Sequence, residues 1–268
     1  MTFFVPSMMG FATPTQSTLW TPLNLTDLKA WFDASDSETI TKDGSNYVSQ
    51  WNDKSGNNRH ASQGTGSAQP LHDSVNNRMS FDGSDVLVMA SSADIARNIG
   101  EINLFALCQF TSTGSQHLIN ISTNSINTTR CMIGHSVGGT GLVAGGRRLD
   151  ANSFAYVASG SNNTDLNILH GKLDYANSNA YTYVNGGSPY TNTSFQTDGL
   201  IEDTSSPFAG IGAYNAGGAM TGYVNQVVIA GVMTDTERLK LEGWCAHYTS
   251  QTTLLDMLHP YKSSPPTV

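Results

Sequence analysis

The stretch VSQWNDKSGNNRHA, Val48 to Ala61, crowds Asp53, Lys54, Ser55, Asn57, Arg59 and His60 into one short segment after an alternating run. An Asp, a Ser and a His this close suggest hydrolytic chemistry, but a catalytic triad is a spatial arrangement that also needs an oxyanion hole. The local chemistry favours a turn. Asp53 is placed to accept backbone N–H groups two residues on, and Gly56 supplies permissive backbone. Trp51 then points to a core and His60 starts the next strand. A turn joining two strands places the chain in the all-β class, and the remaining sequence is read from there.

The 268 residues fit one large sandwich. Hydrophobic residues at 38% against 13% charged fill a core and exclude a disordered chain. Abundant Ser, Thr and Asn with 26 Gly favour many short strands over helices. A net charge of -8, with no basic cluster beyond Arg147–Arg148, excludes a duplex nucleic-acid groove. Cys108, Cys131 and Cys245 lack zinc-pair spacing and form no disulfide scaffold; Cys108 reads as a buried thiol. The first charge is Asp27, so a basic signal-peptide region is missing, and no run is long enough to span a membrane. Synthesis in a cytoplasm is expected.

Strand signals recur along the chain. RMSFDGSDVLVMA carries a strand on either side of Asp82–Gly83, and EINLFALCQF is a nearly continuous apolar strand for the centre of a sandwich. NAYTYVNGGSPY is a hairpin with Asn185–Gly186 at its tip, and AMTGYVNQVVIAGVM is rich in β-branched residues. One helix is predicted, over about 235–249. Thr234 and Glu237 have capping-box spacing, and Leu241, Trp244, Cys245 and Tyr248 form an apolar stripe. Residues 1–20 read as an N-terminal arm and 21–268 as a single domain with a Pro-rich tail. In the arm, Phe3, Phe4, Met8, Met9 and Phe11 either fold back on the chain's own core or dock into a partner.

Four pieces in order carry a family resemblance: LKAWFDASDSETIT, VSQWNDKSGNNRHA, MSFDGSDVLVM, and MTDTERLKLEGWCAHY with its HPYKSSPPT ending. Together, over about residues 28–266, they resemble the concanavalin A-like, laminin-G-type jelly-roll domain of many bacteriophage structural proteins, often tail or fibre components. The resemblance implies two antiparallel sheets packed face to face, with one C-terminal helix, usually binding glycan or protein. It implies a virion location, made in the bacterial host, and incorporation alongside other virion proteins through the arm. Homo-oligomers are expected, trimers if the particle part is a fibre. Tail or fibre attachment to host glycan and capsid-surface decoration both remain open.

No catalytic residues are assigned. GHSVG, Gly134 to Gly138, matches a nucleophile elbow, but a glycine-rich sequel replaces the helix that would lift Ser136. No strand carries the alternate carboxylates that retaining glycan hydrolases on this sandwich use. A glycan-degrading enzyme on the same fold is therefore the alternative rather than the main expectation. For glycan binding, aromatic rings flanked by amides are the useful chemistry, which singles out Tyr181, Tyr183, Tyr190 and Tyr214 with Asn179, Asn192 and Asn215. No cofactor is required. Asp33, Asp36, Asp53, Asp82 and Asp85, near strand ends, are either turn residues or ligands for Ca2+.

Overall fold

The computed structural model describes residues 18–90, 95–122, 129–135, 140–160, 163–201, 208–213 and 218–268. Seventeen strands among these form two antiparallel sheets. The first sheet runs β15 (Tyr190–Asn192), β14 (Asn179–Val184), β13 (Leu166–Asp174), β8 (Glu101–Phe110), β17 (Thr221–Ala230), β6 (Arg78–Asp82) and β5 (Leu71–Asp73). β1 (Leu28–Asp33) also pairs with β17. The second runs β12 (Ala155–Ala158), β11 (Leu142–Gly146), β10 (Thr129–His135), β9 (Gln116–Ser122), β16 (Phe208–Ile211), β7 (Leu87–Met89), β4 (Ala61–Ser62), β3 (Val48–Trp51) and β2 (Ile40–Lys42). This is the concanavalin A-like jelly-roll sandwich. The strands flanking Asp82–Gly83 form as expected, but β6 and β7 lie in different sheets, so this turn crosses the sandwich.

β8 explains its own continuous hydrophobicity. Ile102, Leu104, Ala106, Cys108 and Phe110 enter the core between the sheets. Phe105 and Leu107, on the opposite face, enter a second core with Trp31, Ile168, Val228, Leu241 and Trp244. The roof of that second core is α1 (Asp235–Tyr248), the one α-helix among the described residues. Its capping box forms: Glu237 N–H donates to Thr234 Oγ1 at 3.2 Å, and Thr234 N–H to Glu237 Oε2 at 2.9 Å. The other oxygen, Glu237 Oε1, accepts from Thr26 N–H at 2.9 Å, fastening the helix start to the segment before β1. All three cysteines are buried and free, and burial pushes their thiols well up.

The predicted apolar stripe of α1 is incomplete. Glu242 and Gly243 are also buried, because the Pro-rich tail folds back over the helix; a Cβ on Gly243 would strike Tyr261. Glu242 accepts two bonds from Arg238 Nη1, at 3.0 and 2.9 Å, and lies 3.2 Å from His259 Nε2 and 3.8 Å from His170 Nδ1. Burial alone would raise its pKa. The adjacent imidazoles of His170 and His259, with the Arg238 charge, override that and bring it down to about 2. The tail then reaches the start of the described chain, where Trp20 N–H bonds Pro266 O at 3.1 Å and Val268 N–H bonds Thr18 O at 3.0 Å.

The opening turn is a clasp on β1. Asp53 Oδ1 accepts from Trp31 N–H at 3.0 Å and Ser55 N–H at 2.8 Å. Its Oδ2 accepts from Ser55 Oγ at 2.7 Å and Arg59 N–H at 3.0 Å. Lys54 N–H reaches Trp31 O, and the Asn57 amide and the Arg59 guanidinium reach carbonyls of Leu28 and Lys29. Backbone groups of β1 away from β17 are thereby satisfied by a loop instead of another strand. Trp51 is in the core as expected, and His60 immediately precedes β4, its Nδ1 accepting from Asp53 N–H at 3.1 Å.

Asp53→Ala leaves three backbone N–H groups without their acceptor and should lower unfolding free energy by about 3 kcal/mol; Asp53→Asn, which keeps one oxygen, should cost less in the same urea titration. Glu242→Ala should cost about 1–3 kcal/mol at neutral pH, because the half-buried Arg238 loses its principal counter-charge and keeps only Asp235, at 3.7 Å. Since the folded-state pKa of Glu242 is depressed, its contribution is complete above the ordinary 4.5 and is lost as pH falls towards about 2. Urea midpoints measured against pH should therefore show wild type and variant converging only below pH 4.5; convergence near neutrality would contradict the assignment.

Candidate functional site

The sequence SFAYVAS alternates, so Phe154 and Tyr156 share one face while Val157 turns inward. β12 is an edge of the second sheet and β15 an edge of the first. Thr182 of β14, next to β15, ties the first sheet to β12 and β11 of the second: its hydroxyl donates to Val157 O at 2.9 Å and accepts from Ala144 N–H at 3.0 Å. Tyr190, paired with Thr182 in the β14–β15 ladder, is thereby carried towards β12. Asn192 Nδ2 donates to Tyr156 O at 3.2 Å. The result is an aromatic shelf on the closed side of the sandwich.

Phe154, just before β12, and Tyr156 and Tyr190 on their strands are 37%, 45% and 44% exposed. Phe154 and Tyr156 stack with centroids 6.3 Å apart and planes at 28°. Two recesses of 520 and 560 Å³ flank the rings and lie side by side, sharing Thr193 and Ser194 in their linings. No Lys, Arg, Asp or Glu lines either recess. Gln196 braces the near end, donating to Ser153 O at 3.0 Å. Rings for stacking beside hydroxyls and amides are chemically suited to an uncharged polyhydroxylated ligand.

The structure divides the residues selected from sequence. Tyr190 and Asn192 reach the shelf. Tyr181 and Asn179 are half-exposed, with Tyr181 on the helix-bearing face of the first sheet, away from the shelf. Tyr183 is buried and offers no stacking face: the Arg238 guanidinium lies 4.3 Å from its ring and His170 stacks at 5.3 Å. Burial pushes its hydroxyl up to about 12. Tyr214 and Asn215 lie outside the described residues, as do Phe3, Phe4, Met8, Met9 and Phe11 of the arm. Phe154 and Tyr156 were missed, although their i, i+2 spacing within a polar segment was a usable signal.

The aspartates proposed as Ca2+ ligands are mostly committed to other partners, and among the described residues no three His, Cys, Asp or Glu side chains gather as a metal site. Asp33 accepts from Ser35, Gln226, Lys54 and Tyr248. Burial would raise its pKa, yet the Ser35 bond and the Lys54 ammonium hold it below the usual range. Asp36 pairs with the same Lys54 at 2.7 Å, and Asp53 is saturated by the clasp. Asp82 and Asp85 differ. They sit in one turn, where Asp82 N–H donates to Asp85 Oδ2 at 2.9 Å. Both line a 370 Å³ recess with Tyr47, Ser67 and Gln69. Burial, reinforced by the neighbouring Asp82 charge, raises Asp85 to about 6; bonds from Ser84 lower Asp82.

The GHSVG stretch is not an elbow. Ser136 lies outside the described residues, but its flanks are β10 and β11, which pair antiparallel from His135–Leu142 onward, so a strand stands where a helix is required.

Solved structures share the fold at low identity. Domain 4 of AbnA, an extracellular GH43 arabinanase from Geobacillus stearothermophilus, solved with arabinotriose, matches with TM-score 0.53 and 12% identity. That match covers 80% of this chain and 97% of that one. A Trypanosoma rangeli sialidase bound to sialic acid matches with TM-score 0.53 and 13% identity, over 90% of this chain but only 36% of the sialidase. Botulinum neurotoxin type C, whose cell entry depends on two ganglioside molecules, matches with TM-score 0.52 and 12% identity, over 80% and 50% of the respective chains. No protein-family model matches the sequence, and no curated protein sequence is significantly similar to it. The likeness is one of fold: a lectin-type, concanavalin A-like β-sandwich.

Proposed function

We propose that this chain is a non-enzymatic glycan-binding module, presented on a bacteriophage particle, that holds carbohydrate on the shelf of Phe154, Tyr156 and Tyr190. The observation that carries this reading is the exposure of three large rings at a sandwich edge, beside amide and hydroxyl groups in uncharged recesses. Packing alone gives no reason to leave them uncovered, whereas a sugar ring buries their faces and hydrogen-bonds their neighbours. The solved structures crystallised with arabinotriose and sialic acid support carbohydrate as the ligand class. The ordered sequence motifs support the virion setting, with the arm as the attachment to other virion proteins and the particle's tail, fibre or capsid surface as its location.

A second reading rests on Asp82 and Asp85. A carboxyl whose pKa is raised by its surroundings beside an ionised one is the division of labour of a glycosidase pair. In that reading Asp85 donates the proton to the leaving oxygen and Asp82 acts as base or nucleophile, with Tyr47 carrying the sugar. Against it, Asp82 and Asp85 share one four-residue turn instead of facing each other across a cleft, and among the described strands none places two carboxylates on one face.

Polysaccharide pull-down and glycan-array binding decide between the two. Tyr156→Ala and Tyr190→Ala should each weaken binding about tenfold, equivalent to roughly 1.4 kcal/mol, without altering the circular dichroism spectrum. Unchanged binding in both would remove the shelf from consideration. Reducing-end assays on wild type should stay at background; sustained turnover that disappears in Asp85→Asn would establish the hydrolase reading instead.

A further inference from the structure

A separate recess of 180 Å³ lies at the C-terminal end of α1, on the first sheet and away from the shelf. Three unrelated irregularities of the backbone converge there. The register between β17 and β8 shifts between Val224 and Gln226, and the extra residue, Asn225, lines the recess. Asn77, at the turn between β5 and β6, has φ 51°, and Ser250, just past the helix, has φ 59°. Both also line it. Left-handed backbone at non-glycine residues costs free energy, and bulges re-aim side chains; both concentrate at binding sites.

The lining is chemically suited to one class of occupant. Leu107 and Leu166 contribute apolar surface. Tyr248 contributes an aromatic ring, packed on Trp244 with centroids 5.0 Å apart and planes at 18°, and is still 49% exposed. Its hydroxyl is tied to Asp33 Oδ2 at 3.0 Å, which fixes the ring in place. The Asn225 amide donates to Asn77 O at 2.9 Å, which orients it and leaves its Oδ1 as an acceptor. The side chains of Asn77, Ser250 and Gln251 spend no hydrogen bonds on the described structure.

We propose that this recess binds a single uncharged sugar residue, stacked on Tyr248, with its hydroxyls read by Asn77, Asn225 and Gln251. The volume is well under the roughly 300–1,000 Å³ of sites for drug-sized ligands, so the occupant is one ring. No Lys, Arg or His lines the recess, and the helix presents its negative end there, so an acidic sugar is disfavoured. The site is independent of the shelf, which takes an extended chain along its adjoining recesses.

Titration of the full chain with methyl glycosides of glucose, galactose, mannose and N-acetylglucosamine, followed by NMR, tests this. At least one should shift the Tyr248 ring and Gln251 side-chain signals. The methyl glycoside of sialic acid, a single acidic ring, should leave them in place. Asn77→Gly, which suits φ 51°, combined with Gln251→Ala should weaken that binding at least tenfold, while Tyr156→Ala leaves it unchanged. The proposal is overturned if none of the four glycosides moves these signals, if the methyl glycoside of sialic acid moves them as strongly, or if the double variant binds like wild type. Polysaccharide retention on the shelf with a silent recess removes this inference alone, whereas a responsive recess with no polysaccharide retention removes the shelf alone.

Discussion

The whole arrangement depends on burying both faces of β8. One face is closed by the second sheet, as in any sandwich, but Phe105 and Leu107 on the other require a roof. A single amphipathic helix is too narrow to cover that face and still hide its own flank, so the tail closes over Glu242 and Gly243. The roof also organises what lies around it. Its start is tied to the segment before β1 through Glu237 and Thr26, and its end forms one wall of the recess at Asn225. Among the described residues the opposite edge of the sheet carries no such cover, and there the aromatic rings stay open.

Local chemistry was legible wherever a few neighbouring residues settle the backbone. The Asp53 turn, the Asn185–Gly186 tip with φ 56° and 70°, and the Thr234–Glu237 cap each formed as read, because bonds within a few residues, such as Ser55 N–H to Asp53, set their backbone; the clasp of the Asp53 turn on Trp31 was not legible. Tyr183 was misjudged because its fate depends on Arg238, which arrives from the helix 55 residues later. Glu242 gives no sign of burial in its own surroundings, since its partners His170 and His259 come from a strand and from the tail. The shelf joins two segments more than thirty residues apart, and only one of them carried a hairpin signal that drew attention. Side chains that meet across sheets are set by register, and register is a property of the whole sandwich.

Carboxylates sort the molecule in a similar way. Those of Asp33, Asp53 and Glu242 are saturated by hydrogen bonds or counter-charges, so burial strengthens the fold instead of creating reactivity. Asp85 alone among those discussed keeps an elevated pKa beside a second acid, which is why it is the residue on which a catalytic reading has to rest.

The ribbon of Thr18–Trp20 against Pro266–Val268 bears on how the chain folds. It closes a loop over almost the entire described sequence, a contact of the kind that slows folding when it must be found by diffusion. Here the search is short. Once the sandwich has formed and α1 is seated, the tail runs across the helix to within reach of Trp20, and the loop left to close is only a few residues long. The entropy of closure grows with the logarithm of loop length, so the ribbon costs little when made last and would cost much more when made first. The ribbon is therefore cheapest when the two ends of the described chain meet on a surface that the rest of the molecule has already built.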